Sequence, residues 1–338
     1  MGSSSQPHPT TPHIATQLRA RAAADGFIPF ADFMDVALYD PQTGFYTADR
    51  ERVGQSAGTH FYTATSLGPV FGELVSAAAQ HHLQRHHADP AAYRFIEIGS
   101  ERGRTVLDGI EHPFAELVPL GVGTELKLSG PCIVFSNELF DAQPCRRFLR
   151  SGDAWLERGV TLDAQNQLHE TTRPVAPADA IALRLPADAL DGYELDLPIA
   201  ADALAATIAS QPWHGLFLAF DYGKSWHELS HETPQGTVRA YHHHRQSNAL
   251  YDHIGEQDLT CHICWDTLGE ALQKAGFSVD SALSQEAFFI KNTASTLARI
   301  MAAEASTMSP RKAGLMQLLH PSALGQKFQA LTAWRDEA

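Results

Sequence analysis

The chain has 338 residues, 44% of them hydrophobic and 19% charged, enough apolar material to bury a full core and too much for an intrinsically disordered chain. A formal charge of −14, from 39 acidic and 25 basic residues, gives no cationic footprint for a phosphate backbone, so no nucleic acid partner is expected. No stretch approaches the roughly 20 apolar residues that span a bilayer, and no apolar core near the start suits a secretory signal, so the expectation is a soluble cytoplasmic protein without membrane insertion.

In chain order, residues 1–13 are rich in Ser, Pro and Thr and read as a disordered lead-in. Helix formers over 14–24 with Gly26 just beyond predict a short helix with a glycine stop. Pro29 to Tyr46 is aromatic-rich, with a turn marked by Asp-Pro and Thr-Gly between Tyr39 and Phe45, and such a segment is either a lid or a packing edge. A long helix suits 68–87. Tyr93 to Gly99 reads as a strand, followed by a polar glycine turn and a helical-looking TVLDGIE at 105–111. Further strands are expected at Glu116–Gly121, Cys132–Ser136 and Gly215–Gly223, the last too continuously apolar for a half-exposed strand. Residues 150–200, rich in Pro, Ala and Asp, suggest an insertion beside the core, and the C-terminal third offers a helix at Trp265–Ala275, a strand near Phe277–Val279 and an apolar patch at Ala287–Ile290. Apolar strands that end in polar or glycine turns and alternate with helices predict an α/β fold with a parallel sheet and a ligand site at the strand carboxyl ends. The implied organisation is one domain over 14–338, with an N-terminal lid (14–75), a core (about 90–150 and 205–290) and an insertion (about 150–200).

Three strand ends carry candidate chemistry. Glu97-Ile-Gly99-Ser-Glu101-Arg-Gly103 has glycines where a backbone would turn tightly against a nucleotide-type cofactor, although an ordinary strand-to-helix turn has the same pattern. Asn137-Glu138-Leu-Phe-Asp141 crowds an amide and two carboxylates at one strand end, suited either to capping a helix or to holding a cationic or amide nitrogen. Asp221-Tyr222-Gly223 puts an acid at a third end, and backbone capping is its bland alternative. The four cysteines, Cys132, Cys145, Cys261 and Cys264, make no disulfide framework; Cys261-His-Ile-Cys264 has zinc-like spacing without a second ligand pair, so buried thiols and no metal are expected. His81, His82, His86, His87 and the run His242 to His244 lack a carboxylate at ligand spacing and read as solvated surface histidines.

The order of these segments resembles the MidA-like methyltransferases, whose mitochondrial members act in complex I assembly as protein arginine methyltransferases. The matching stretches are IPFADFMDVALYDPQTGFY (28–46), HFYTATSLGPVFGEL (60–74), FIEIGSERG (95–103), SNELFDAQPCRRF (136–148), FLAFDYG (217–223), GTVRAYHHH (236–244), GEQDLTCHICWDTL (255–268) and SQEAFFI (284–290). The resemblance implies a Rossmann-like methyltransferase core, S-adenosylmethionine as methyl donor, and a protein side-chain nitrogen, arginine first, as acceptor; the acceptor protein and the oligomeric state are left open. Carried onto this sequence, Thr63, Glu97, Gly99, Glu101, Gly103 and Asn137 would line the cofactor. Asn137, Glu138 and Asp141 would border the transfer centre, and Tyr39, Phe45, Tyr46, Asp221 and Tyr222 would contact the substrate or form its lid. The sequence departs from the family pattern at Glu101, which replaces the second glycine, at Thr65-Ser66 and at Cys264. About 34 residues separate Gly103 from Asn137, with no clear acid for the ribose; Glu116 and Glu125 are the available stand-ins. These departures admit an alternative, a catalytically silent relative that keeps the fold for binding or assembly.

Overall fold

The computed structural model describes residues 7–47, 69–101, 103–243, 245–304 and 309–337. The central sheet is built from the apolar runs. Strands Arg94–Ile98, Gly130–Asn137 and Trp213–Asp221 lie side by side in parallel, with Glu116–Leu120 parallel at one edge. Gln329–Arg335 pairs antiparallel along the far side of Trp213–Asp221, and the short strands Ser278–Val279 and Leu283–Ser284 pair with it in turn. Helices cover both faces, which is why the strands are continuously apolar instead of alternating. Along Trp213–Asp221, Leu216, Leu218 and Phe220 point into a core under the helices Pro69–Arg85, Gln285–Asn292 and Pro310–Leu319. Phe217 and Ala219 point into the opposite core, under Ile199–Ala209 and Trp265–Lys274.

A second, antiparallel sheet grows from the segment expected to be an insertion. Ala154–Leu162 pairs with Arg146–Ser151 and Gln167–Pro174, and Arg146–Ser151 pairs with Glu194–Leu197. The described part of the expected lead-in is paired and helical, not disordered: His8 and Pro9 pair with Leu168 and Gln167, and Pro12 opens a helix that Thr11 caps. Residues 1–6 lie outside the described residues. The helices Pro12–Arg21 and Phe30–Tyr39 bury Ile14, Leu18, Phe30, Phe33 and Met34 against this sheet. Arg147, buried, is bracketed by Asp196 at 2.9 Å and Glu194 at 3.0 Å, so the charge is paired where it is dry. Asp196 also accepts from the amides of Thr237 and Val238 and thereby ties this sheet to a third, formed by Arg245–Ser247, Arg239–His242 and Asp258–Thr260.

Two local expectations fail for identifiable reasons. Residues 105–111 form turns and no helix, because Asp108 accepts from the Thr105 amide and hydroxyl and Glu97 captures the Val106 amide, both in competition with helical bonding. His82 is buried, not solvated: its ring stacks on Phe288, and burial pushes its pKa down to about 4. No helix among the described residues is long and apolar enough to cross a membrane.

Candidate functional site

Register brings three strand ends to one level. Ile98 pairs with Ser136 and Asn137 pairs with Phe220, so the turns after Ile98, Asn137 and Asp221 open at the same edge of the sheet. After Ile98 the chain turns through Gly99 at φ +85°, a conformation that suits glycine, and the amides of Gly99 and Ser100 both donate to the Leu120 carbonyl at the end of the edge strand. Glu97 is nearly fully buried and its Oε2 accepts from the Val106 amide at 2.6 Å, so it braces the returning loop. Burial raises its pKa to about 7.

The turn after Asn137 is the most constrained part of the site. Glu138 adopts φ +54°, left-handed for a residue with a side chain, which costs about 1–2 kcal/mol unless the surroundings hold it. They do. Its amide donates to the Phe220 carbonyl at 3.0 Å, and the following amides of Leu139 and Phe140 donate to Asp221 Oδ2 at 3.2 and 2.9 Å. Asp221 Oδ1 takes the Tyr222 amide at 2.8 Å. Asp221 is fully enclosed and engaged by backbone, so the structure gives it the capping role, not a place against substrate. It in turn fixes Glu138, whose Oε1 accepts from Asn137 Nδ2 at 3.0 Å.

Around that turn gathers an acidic and aromatic cluster. Asp141 is buried; enclosure first, then the nearby carboxylates of Asp221, Glu138 and Asp258, push its pKa far up, while Asp221 rises to about 7. Since Asp221 carries the backbone amides, Asp141 is the member of the pair that holds the proton. Burial, and after it the carboxylates of Glu138, Asp141 and Asp258, raises the pKa of Tyr39, Tyr46, Tyr222 and Tyr241. The Tyr39 hydroxyl donates to the Ala142 carbonyl, and the Tyr46 hydroxyl donates to Asp258 at 2.9 Å. Tyr39 stacks on Tyr46, and Phe45 is wholly buried against its edge. The expected lid of Tyr39, Phe45 and Tyr46 is therefore a packed wall, the second of the two readings its composition allowed. Asp258 and Tyr241 were missed in the sequence; an acid in a polar GEQDLT run gives no local sign that a strand pairing will set it opposite Tyr241.

Three buried polar atoms at this edge have no partner among the described residues: Ser100 Oγ, Ser136 Oγ and Asn137 Oδ1. Buried polar groups are ordinarily bonded, so these read as positions for a ligand's donors and acceptors. Gly103, also at positive φ, has nothing within 4 Å of where a side chain would begin, which leaves room beside the loop. Glu101 is half-buried in the turn. Of the two stand-in acids, Glu116 starts its strand at the wrong end of the sheet, whereas Glu125 follows the carboxyl end and pairs with Lys127 at 2.7 Å. Thr63, Thr65 and Ser66 lie outside the described residues. Cys264 is buried beneath the short pairing of Ile263–Cys264 with Gly223–Lys224. A separate groove of about 580 Å³, lined by Lys224, Glu228, Trp265, Asp266 and Gln329, meets the site only near Gly223 and includes none of the predicted residues.

A parallel sheet with an antiparallel neighbour, helices on both faces and polar turns at the carboxyl edge defines a Rossmann-like methyltransferase fold. Residues 122–283 match the model of a family described as "Putative S-adenosyl-L-methionine-dependent methyltransferase". A Burkholderia thailandensis protein with suggested methyl transferase activity, solved with S-adenosyl-homocysteine bound, is 26% identical, with a TM-score of 0.79 over 96% of this chain and 94% of that one. A native structure of an uncharacterized protein of that superfamily from the same organism is 25% identical, with a TM-score of 0.76 over 96% and 94% of the two chains. A curated relative, the mitochondrial homolog of the protein arginine methyltransferase NDUFAF7 from Drosophila melanogaster, is 33% identical over 95 residues, which is 28% of this chain and 21% of the relative's own length. These likenesses support a resemblance of the chain to the MidA-like S-adenosylmethionine-dependent methyltransferases.

Proposed function

We propose that the chain binds S-adenosylmethionine along the carboxyl edge between Gly99 and Asn137 and methylates a protein side-chain nitrogen, arginine first among the candidates. The observation that carries the reading is the set of unpartnered Ser100, Ser136 and Asn137 atoms beside a cluster of carboxylates and tyrosines. When bound, the cofactor supplies an electrophilic methyl group on a sulfonium. Asn137 and Ser100 would hydrogen-bond it, and Gly99 would let the backbone approach. Glu138 would accept hydrogen bonds from a guanidinium nitrogen and hold it in line, and the half-buried rings of Tyr39, Tyr46 and Tyr222 would face the cation. The S-adenosyl-homocysteine in the Burkholderia thailandensis structure and the arginine methyltransferase name of the Drosophila relative support the cofactor and the acceptor respectively.

Titration calorimetry with S-adenosylmethionine, followed by mass spectrometry of arginine peptides incubated with both, tests the reading. Saturable heat and a 14-dalton gain on arginine, about one methyl group, are expected; absence of heat at millimolar cofactor, with the protein shown folded, overturns it. A silent relative is the second reading, motivated by Glu101 in the cofactor turn. It gains if Glu101→Gly creates tight binding that the parent lacks, and ends if the parent binds tightly.

A further inference from the structure

The third sheet carries a second side-chain cluster, on the rim beyond Tyr241. His242 ends the Arg239–His242 strand, and the chain returns through His253 and Glu256 just before Asp258–Thr260. Because Tyr241 pairs with Asp258, the antiparallel register brings this returning loop to the same end as His242. One ligand atom from each of His242, His253 and Glu256 lies within 4.8 Å of the others. Along the sequence this histidine run has no carboxylate at ligand spacing; the fold supplies one from 14 positions downstream, across the sheet.

The loop that presents these groups is braced. Gln257 Nε2 donates to the carbonyls of Ala249 and Leu250, both at 3.0 Å, and Leu250 and Tyr251 are buried in the core beside the Phe30–Tyr39 helix. The Glu256 amide donates to the His253 carbonyl at 2.7 Å. Gly255, at φ +79°, passes so close to the Thr43 carbonyl that a side chain there would begin 2.2 Å from it, which pins the turn between the second and third ligand. His253 itself holds φ +46°, left-handed for a residue with a side chain, and its ring lies face to face with that of His242 at 4.1 Å.

We propose that His242, His253 and Glu256 form a site for one divalent transition-metal ion of the zinc class, with solvent completing the coordination. Two imidazole nitrogens and a carboxylate oxygen are the donors such ions take, whereas calcium and magnesium want oxygen throughout. Bonds of about 2.0–2.1 Å place donors about 3.3 Å apart around a tetrahedral ion, so the trio closes on the ion by side-chain rotation of the three residues. The ion would clip the strand that carries Tyr241 to the loop that leads into Asp258, and so stiffen one wall of the carboxylate and tyrosine cluster. The site does not depend on the methyltransferase reading.

The test is zinc titration of the full chain after chelator treatment, by calorimetry and by metal analysis after gel filtration, with cobalt substitution read by its visible bands. One equivalent of zinc bound at about 10 μM or tighter is expected, with a rise in melting temperature. His253→Ala and Glu256→Gln should each weaken binding at least tenfold, while the surface variant His87→Ala leaves it unchanged. The Glu256→Gln change keeps the side chain's size, so its loss of affinity cannot be a loss of fold. Zinc binding that survives both ligand variants, or no binding at 100 μM by folded parent protein, overturns the proposal.

Discussion

Asp221→Asn separates a structural acid from a catalytic one. The side chain keeps its shape but loses one acceptor: with Oδ1 turned toward the Leu139 and Phe140 amides, the new Nδ2 faces the Tyr222 amide, donor against donor. An orphaned buried amide costs about 1–3 kcal/mol, and the two surviving bonds lose their charge assistance at roughly 1 kcal/mol each. Asp141 already holds the proton of the pair, so no repulsion between the two acids is relieved. The net expectation is a loss of about 3–5 kcal/mol in urea unfolding. Because those amides hold Glu138 in its left-handed conformation, the cofactor and acceptor affinities should fall together with stability. If Asp221→Asn unfolds within 0.5 kcal/mol of the parent yet no longer transfers methyl groups, the buttress account is wrong and Asp221 acts on substrate.

Glu138→Gln should leave cofactor affinity within about threefold and cut turnover at least 100-fold, since only the charge that faces the acceptor changes; unchanged turnover places the acceptor elsewhere. Glu97 has its folded pKa raised from 4.5 to about 7, so its contribution is fully present below pH 4.5 and is lost as pH rises toward 7. Glu97→Gln removes that loss, and urea unfolding should show the variant gaining about 3 kcal/mol on the parent between pH 4.5 and 8; a constant difference across that range refutes the assignment. Gly99→Ala forces φ +85° on a side chain whose first carbon would sit 3.0 Å from Leu139 Cδ1, so unfolding should show a loss of about 1–2 kcal/mol and calorimetry a weaker cofactor; a neutral variant means the turn has slack.

The sheet was legible because its strands are buried on both faces. Phe95, Ile133 and Phe217 stand in apolar runs that end abruptly at Gly99, Asn137 and Asp221, and those endings marked the ligand edge. What the sequence hid was decided by tertiary competition. Glu97 stands at a strand end that suits a cofactor acid, and the sequence gives no sign that the Val106 amide also binds it once the following segment gives up its helix. Asp221 looked ambiguous between capping and chemistry, and only the register of Phe220 with Asn137 shows that its neighbours' amides converge on it. Tyr241, Asp258, His253 and Glu256 carried no local signal, since each matters through a strand pairing that joins residues far apart in sequence.

The Asp141 and Asp221 pair makes a further demand on any acceptor. Asp141 sits enclosed among Asp221, Glu138 and Asp258 with its pKa far up, so the proton of the pair rests on it, while Asp221 stays engaged with backbone. A guanidinium docked against Glu138 would add a positive charge beside the protonated member of the coupled Asp141 and Asp221 pair, and opposite charge favours ionisation. Binding of a cationic acceptor should therefore release a proton and strengthen as pH rises, levelling off once Asp141 ionises unaided. Calorimetry of an arginine peptide in two buffers of different ionisation enthalpy counts that proton directly, and Asp141→Asn should abolish the difference between buffers. A parent protein that binds the peptide with no proton exchanged would mean that the cation does not enter this cluster, and that methylation at arginine, if it occurs, is organised by other residues.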